Sequence, residues 1–546
     1  MLLAITLLVG CSGGGGSGSG SVIVSGVVTY DRVPFSVTAW QGLDFNSIQS
    51  LPARGVSVQV LDDAGLLIGV ATTDEDGAYS VGFIPSNQLV RVRVFAELSE
   101  TSLSSTWEVK ILDHTDGDAQ YVLNGQLASS GSIDSIRNLH AESGWDSASS
   151  SYSEVRAAAP FAILDSIYTG LRLIASVESD LMLGLLEVFW SPKNNAASVD
   201  FDKGDIGSSF YRNHQIYLLG KQNSDTDEYD PHVIIHEWTH FLEASLSRSD
   251  TIGGGHNIVE SLDIRLAFSE GLANAFSAIM MDDPLYRDSY GAEQGEDFHI
   301  DIEANPDAGS GHNVGWFVES SIHSLLYDFY DLDNEGVDNI SAGFGPIYDV
   351  LTDSDYINES SFLSIYPFVD RFRSHAGVDS AAVGQLLSSQ NISGVGSYGL
   401  GEVNRGGDFV NALYTLPIYT PLSVNGLGER VCSTNVLVAP REVNKLGNRR
   451  FIRFTTTSGD HTITVTYAGT GFMPSNPAFV LYRNGEEQLS VPAPGSLAYD
   501  VSEDSVTDVH AIGDAGEYII EVFSRGNVDD DSATGGDVCF DVSVSR

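Results

Sequence analysis

The chain has 546 residues, a hydrophobic share of 42%, and 74 acidic against 27 basic residues, a formal net charge of −47. That length exceeds one compact core and predicts roughly three or four globular domains. So acidic a surface repels nucleic acid and anionic lipid headgroups, which excludes nucleic-acid binding, while it leaves carboxylates to spare for Ca²⁺.

The opening stretch "MLLAITLLVGCSGGGGSGSGS" holds an apolar run too short to span a bilayer, ending in small residues before a cysteine. This is the pattern of a targeting signal. Leu8-Val9-Gly10-Cys11 resembles a bacterial lipoprotein box, which implies removal of residues 1–10 and a lipid on Cys11. Ser12 after the cysteine resembles lipoproteins sent on to an outer membrane. No Lys or Arg precedes the apolar run, a departure that moves the expected start upstream. Residues 11–22 then read as the anchored cysteine and a flexible Gly/Ser tether. The expected localisation is the cell surface or outer membrane, with the membrane reached through that anchor only.

From 23 to 112 the two-residue alternation of strands dominates, as in "VSVQVLDDAGLLIGVATTDEDGAYSVGF", and predicts a small β-sandwich. The stretch resembles the prealbumin-like regulatory domain of carboxypeptidases, which implies a spacer or binding module without chemistry of its own. Its acidic turn Asp74-Glu75-Asp76-Gly77 reads as a plain Asp-Gly turn before a Ca²⁺ loop. A polar, Ser-rich stretch from 113 to 153 reads as a linker. Helical spacing follows in "VRAAAPFAILDSIYTGLRLIASVESDLMLGLLEVFW" and recurs to about residue 413, with short strands expected only around 199–219. The middle domain, 154–413, is therefore predicted to be α-rich α+β with a small sheet. Strand patterns return from 414 to 546 and predict a second β-sandwich. "FIRFTT", "LYRNGEE" and "AGEYIIEV" resemble the pre-peptidase C-terminal domain of secreted bacterial proteases. Besides Cys11 the cysteines are Cys432 and Cys539, both in this last domain. In an exported protein they are expected to form a disulfide closing its ends, with two unpaired thiols as the alternative.

The chemistry concentrates in "DPHVIIHEWTHFLEASL", residues 230–246. Asp230-Pro231 reads as an N-cap followed by proline at the first helical position. His236 and His240, four apart, project from one helix face within reach of a single Zn²⁺, and Glu237 sits one step round, placed as a general base. A buried helix whose histidines merely hydrogen-bond in the core fits the same pattern, so a third ligand is required. Thirty residues beyond His240, "AFSEGLANAFSAIMM" offers Glu270, with small neighbours such as Gly271 letting this helix lie close against the first. Asn274, one turn on, is placed to accept the free N–H of a ligating histidine.

"HEWTH" followed by "SEG" resembles the gluzincin zinc peptidases of thermolysin and fungalysin type over about residues 208–331. The resemblance implies Zn²⁺ on His236, His240 and Glu270, with Glu237 as the base. It also makes "SSFYRNHQIYLLG" an edge strand that pairs with substrate backbone. By the same match His312 would stabilise the oxyanion and Asp307 would orient it. Two departures stand out: Asn274 replaces the family's Asp, and no tyrosine lies between His240 and Glu270, leaving Tyr286, Tyr327 or Tyr330 as substitutes. His256 and His323 read as structural, "SDTDEYD" as either a Ca²⁺ loop or a helix N-terminus, and Asp263 with Arg265 as an interior pair or a solvated one.

The expected function is thus hydrolysis of peptide bonds in proteins or peptides by a lipid-anchored zinc metallopeptidase. The alternatives are a non-catalytic surface binding protein that keeps the zinc fold as scaffold, or a zinc hydrolase acting on a non-peptide amide.

Overall fold

The computed structural model describes residues 20–38, 40–101, 105–306, 313–333, 336–405, 412–435, 443–471, 476–492, 505–528 and 536–546. Its organisation is multidomain and strand-rich, with the helices gathered in the middle. Cys11, Asp307 and His312 lie outside the described residues.

The N-terminal strands do not form a separate module. Leu67–Thr72, Val56–Asp62, Leu89–Thr101 and Thr106–Asp113 stand side by side, and the sheet continues through Met182–Trp190 and Gln215–Leu218 to an edge strand, Phe210–Arg212. Met182–Trp190 pairs in parallel with both of its neighbours. Only its second half, Leu186–Trp190, is largely covered on both faces, while Met182, Gly184 and Leu185 are exposed, so "LMLGLLEVFW" carries no clean alternation and reads as one with the preceding helix. The helix, α1 (Ala159–Val177), stops before it.

The stretch expected as a linker, 113–153, is likewise built in. Ser135–Ile136 and Leu139–Ala141 pair in parallel with Ser21–Arg32, and Val122–Asn124 pairs with Leu89–Thr101. Strands of two or three residues are too short to show a period, so their Ser-rich text reads as a tether. One apolar core consequently runs from Val22 through α1 and the middle helices, and the expected seams at 112 and 153 do not divide it.

The middle region adds α2 (Pro231–Leu246), α3 (Ile264–Met281) and α4 (Glu319–Tyr330). Gly170 of α1 admits the Trp238 ring of α2, since a Cβ there would lie 2.3 Å from it. Gly271 plays the same part against α4: its Cβ would lie 2.5 Å from Ile322 Cβ, so this glycine serves the α3–α4 contact and not the α2–α3 contact expected of it. Strands Leu285–Tyr290 and Glu296–Asp301, unexpected from the sequence, form a hairpin beside α2.

The C-terminal region is a β-sandwich of a five-stranded and a four-stranded sheet around its own core, from Leu422 to Val544. Cys432 and Cys539 are disulfide-bonded across directly opposed residues of strands Glu429–Ser433 and Val538–Ser545, closing a separation of 107 residues.

Candidate metal centre

α2 and α3 lie against each other and bring His236, His240 and Glu270 to one point. His236 Nε2 and His240 Nε2 are 3.3 Å apart, and they lie 3.2 and 3.4 Å from Glu270 Oε2. All three side chains are largely buried, at 12%, 13% and 8% exposure.

The outer atoms of the two rings decide what the inner atoms carry. His236 Nδ1 is 2.8 Å from Asn274 Oδ1, and Asn274 Nδ2 donates to Glu319 Oε1 at 2.6 Å. An amide oriented this way presents only an acceptor to the ring, so Nδ1 holds the proton and Nε2 a lone pair. His240 Nδ1 is 3.4 Å from Ser269 Oγ, whose own proton goes to Glu243 Oε2 at 2.6 Å. Glu270 Oε2 is buried and accepts no well-directed hydrogen bond. Three atoms able to ligate a metal thus converge on one point. A tetrahedral Zn²⁺ site with bonds of ~2.0–2.1 Å has edges of about 3.3 Å, so the donor set and its spacing fit that ion. The same convergence attracts protons: burial pushes His240 down, but the Glu270 carboxylate outweighs it and lifts the ring to about 9. Burial would raise Glu270, yet the surrounding imidazoles hold it well below the usual carboxylate range.

Glu237 lines a cleft of about 540 Å³ together with His236, His240, Glu270 and the edge-strand residues Phe210 and Tyr211. That edge strand is held by a tight turn with positive φ at Asn213 and His214, joining it to Gln215–Leu218. Tyr211 stacks on His240 with ring centroids 6.5 Å apart.

His256, expected to be structural, instead lines the cleft, with Nε2 3.3 Å from Glu270 Oε2 and 3.6 Å from Glu319 Oε2. Its loop, Gly253–Gly255, has no periodicity from which this approach is readable. Of the three candidate tyrosines, Tyr286 comes nearest the metal ligands, its ring 6.3 Å from His236, whereas Tyr327 and Tyr330 pack with each other and the core. His323 is buried in α4. Asp230 does not cap α2 with its side chain, which is turned to Ser289 N at 2.7 Å on the adjacent strand. Asp74 accepts from Asp76 N and Ala78 N, the hydrogen bonds of a plain turn.

A second cluster follows from "SDTDEYD". Carboxylate oxygens of Asp225, Asp227 and Asp288 lie within 4.8 Å of one another. Among the described residues no Lys or Arg forms an ion pair with any of them. Burial lifts Asp225 to about 6 and Asp288 to about 8, with neighbouring carboxylates adding to the rise at Asp288. Ser209, on the wall of the cleft, donates to Asp227.

Residues 185–387 match the family model of the mycolysin C-terminal domain, a stretch that contains α2, α3 and α4 whole. No curated protein matches the chain. Among solved structures, the pre-peptidase C-terminal domain of a collagenase from Bacillus anthracis is 15% identical over 23% of this chain and 93% of that one, with a TM-score of 0.15. PliG of Aeromonas hydrophila, a periplasmic inhibitor of g-type lysozyme, is 17% identical over 23% and 96%, with a TM-score of 0.14. CorA, a surface-associated copper-binding protein of Methylomicrobium album BG8, is 13% identical over 23% and 97%, with a TM-score of 0.17. At such scores the three likenesses add nothing to the functional reading. The family match gives the middle region a peptidase-related context.

Proposed function

We propose that the chain is a gluzincin-type zinc metallopeptidase that hydrolyses peptide bonds of extracellular or cell-surface proteins and peptides. The observation that carries the reading is the convergence of His236, His240 and Glu270, at the spacing of tetrahedral ligand atoms, on a cleft that also holds Glu237. Bound there, Zn²⁺ supplies Lewis acidity toward a carbonyl and makes water acidic enough to lose a proton near neutral pH. Glu237, at 9% exposure, is the carboxylate placed to take that proton and return it to the leaving amine. Phe210–Arg212, at the end of its sheet, offers an unpaired backbone edge along which an extended peptide can add as a strand. His312, oriented by Asp307, is the proposed oxyanion donor. Asn274 and Glu319 hold His236 in the required tautomer.

The carboxylates of Asp225, Asp227 and Asp288 support Ca²⁺ as a second, stabilising ion. The lipoprotein box supports anchoring through Cys11 at the cell surface or outer membrane, with the β regions positioning the enzyme or its substrate.

Glu237→Gln should keep stoichiometric zinc and lose hydrolysis of a peptide library by at least about 10²-fold; full retained activity would overturn the mechanism. His236→Ala should lose the metal. A wild-type protein that takes up no zinc would favour the binding scaffold, and zinc without peptide cleavage would favour a non-peptide amide.

A further inference from the structure

Each of the two metal-facing histidines has its outer nitrogen against a neutral side chain, and each of those side chains leads to a buried glutamate. On one side runs His236 Nδ1, Asn274, Glu319, with steps of 2.8 and 2.6 Å. On the other runs His240 Nδ1, Ser269, Glu243, with steps of 3.4 and 2.6 Å. Glu319 and Glu243 are 2% and 6% exposed. Ser249 Oγ adds a second donor to Glu243 at 3.0 Å, and His256 Nε2 faces the other oxygen of Glu319 at 3.6 Å.

An amide or a hydroxyl can face a ring nitrogen either as donor or as acceptor. Left free, Asn274 could turn its NH₂ to His236 and stabilise the tautomer whose proton points at the metal position. A carboxylate accepts only, so it draws the NH₂ or the hydroxyl proton to itself and leaves the oxygen lone pair for the ring. We propose that Glu319 and Glu243 are positioning residues that act through Asn274 and Ser269, fixing both histidines as Nδ1–H tautomers with their Nε2 lone pairs on the metal point. This rests on reading the site as a metal centre. It adds to that reading the carboxyl groups that set the direction of each relay. A carboxylate in direct contact with a ligating histidine is the common arrangement; here the carboxyl group stands one neutral group further back, on α4 and in the last turns of α2.

Reversing the polarity of one relay tests the idea. Zinc affinity is read by competition with a chromophoric chelator, and ligand geometry by the visible spectrum of the Co²⁺-loaded protein. Glu319→Gln should weaken zinc binding about 10–100-fold, the usual effect of losing such a partner. Asn274→Asp should weaken it similarly, because the introduced carboxylate then faces Glu319 at the 2.6 Å now occupied by a hydrogen bond. The double variant N274D/E319Q should return to within a few-fold of wild type and restore the Co²⁺ spectrum, since the carboxylate introduced on α3 would accept from both the ring and the new amide on α4. Melting of the chelator-treated proteins separates misfolding from a lost relay. Unchanged affinity in E319Q, or a double variant no better than N274D alone, overturns the proposal. Wild type that binds no zinc, or binds it equally after His236→Ala, overturns the metal reading itself and the relay with it.

Discussion

The two β-rich ends of this chain meet the helical middle in opposite ways. The N-terminal strands continue into the sheet that carries Met182–Trp190 and the edge strand of the cleft, and one core spans both. The C-terminal sandwich keeps a separate core and its own disulfide, although Phe451 and Ile519 on its face reach the larger core. Beside that apolar contact stands a buried ionic one: Arg265 of α3 binds Asp263 and, at 3.1 Å, Glu521 of the sandwich, which Arg449 also contacts at 2.7 Å. The pair that reads in sequence as either interior or solvated is interior, and its third partner comes from 256 residues away. Similar alternating text thus gives a folding partner at one end and a docked unit at the other, the difference being where its edge strands find their neighbours.

The largest test of this difference is fragment folding. Residues 414–546 alone should unfold cooperatively with native-like near-UV circular dichroism, whereas 20–153 alone should not, because Thr106–Asp113 loses its parallel neighbour and the core loses α1. Equal behaviour of the two fragments would erase the distinction. Next comes the joint between the units. Arg265→Met leaves Asp263 buried without its ion-pair partner and Glu521 with Arg449 alone, and should cost about 3–5 kcal/mol in denaturant unfolding; a change under about 1 kcal/mol would mean that the joint is hydrated.

What can be read from the sequence is whatever the helix or strand period converts directly into space. His236 and His240 share a face because they are four apart, and Glu270 joins them because α3 packs on α2, so "HEWTH" and "SEG" suffice for the cluster. The C-terminal sandwich is legible from alternation, and the cysteine pair from its even count in the last domain. Glu319, Glu243 and Ser269 are not, since a single polar residue on a helix announces no partner. His256 reaches Glu270 from a glycine loop, where no period exists. The continuity of the N-terminal sheet escapes for the reason given by Met182–Trp190: a strand that is half exposed at one end and buried on both faces at the other has no clean two-residue period and resembles a helix in text.

Two smaller perturbations should separate the units again, each moving one thermal transition and leaving the other. Replacing both Cys432 and Cys539 by serine removes a link closing a separation of 107 residues and should lower the C-terminal transition by about 2–5 kcal/mol, with the proposed peptidase activity unchanged. Loss of activity would mean that the sandwich supports the site more closely than its separate core suggests.

The counterpart in the first unit is pH. Burial raises Asp225 to about 6 and Asp288 to about 8, and Asp227 well above the usual carboxylate range. Between about pH 4 and pH 8 the folded chain therefore binds protons that the unfolded chain has released. The stability these groups contribute is fully present below the unfolded value near 4 and is lost as pH rises through the folded values. In chelator, the first transition should fall from pH 5 to pH 8 while the second stays level, and Asp288→Asn should flatten that fall. Added Ca²⁺ should offset it by supplying the positive charge that protons supply at low pH. A first transition indifferent to pH, or one that Ca²⁺ leaves unchanged at pH 8, would show that these carboxylates are relieved by solvent instead, and that this cluster is no firmer than the surface it adjoins.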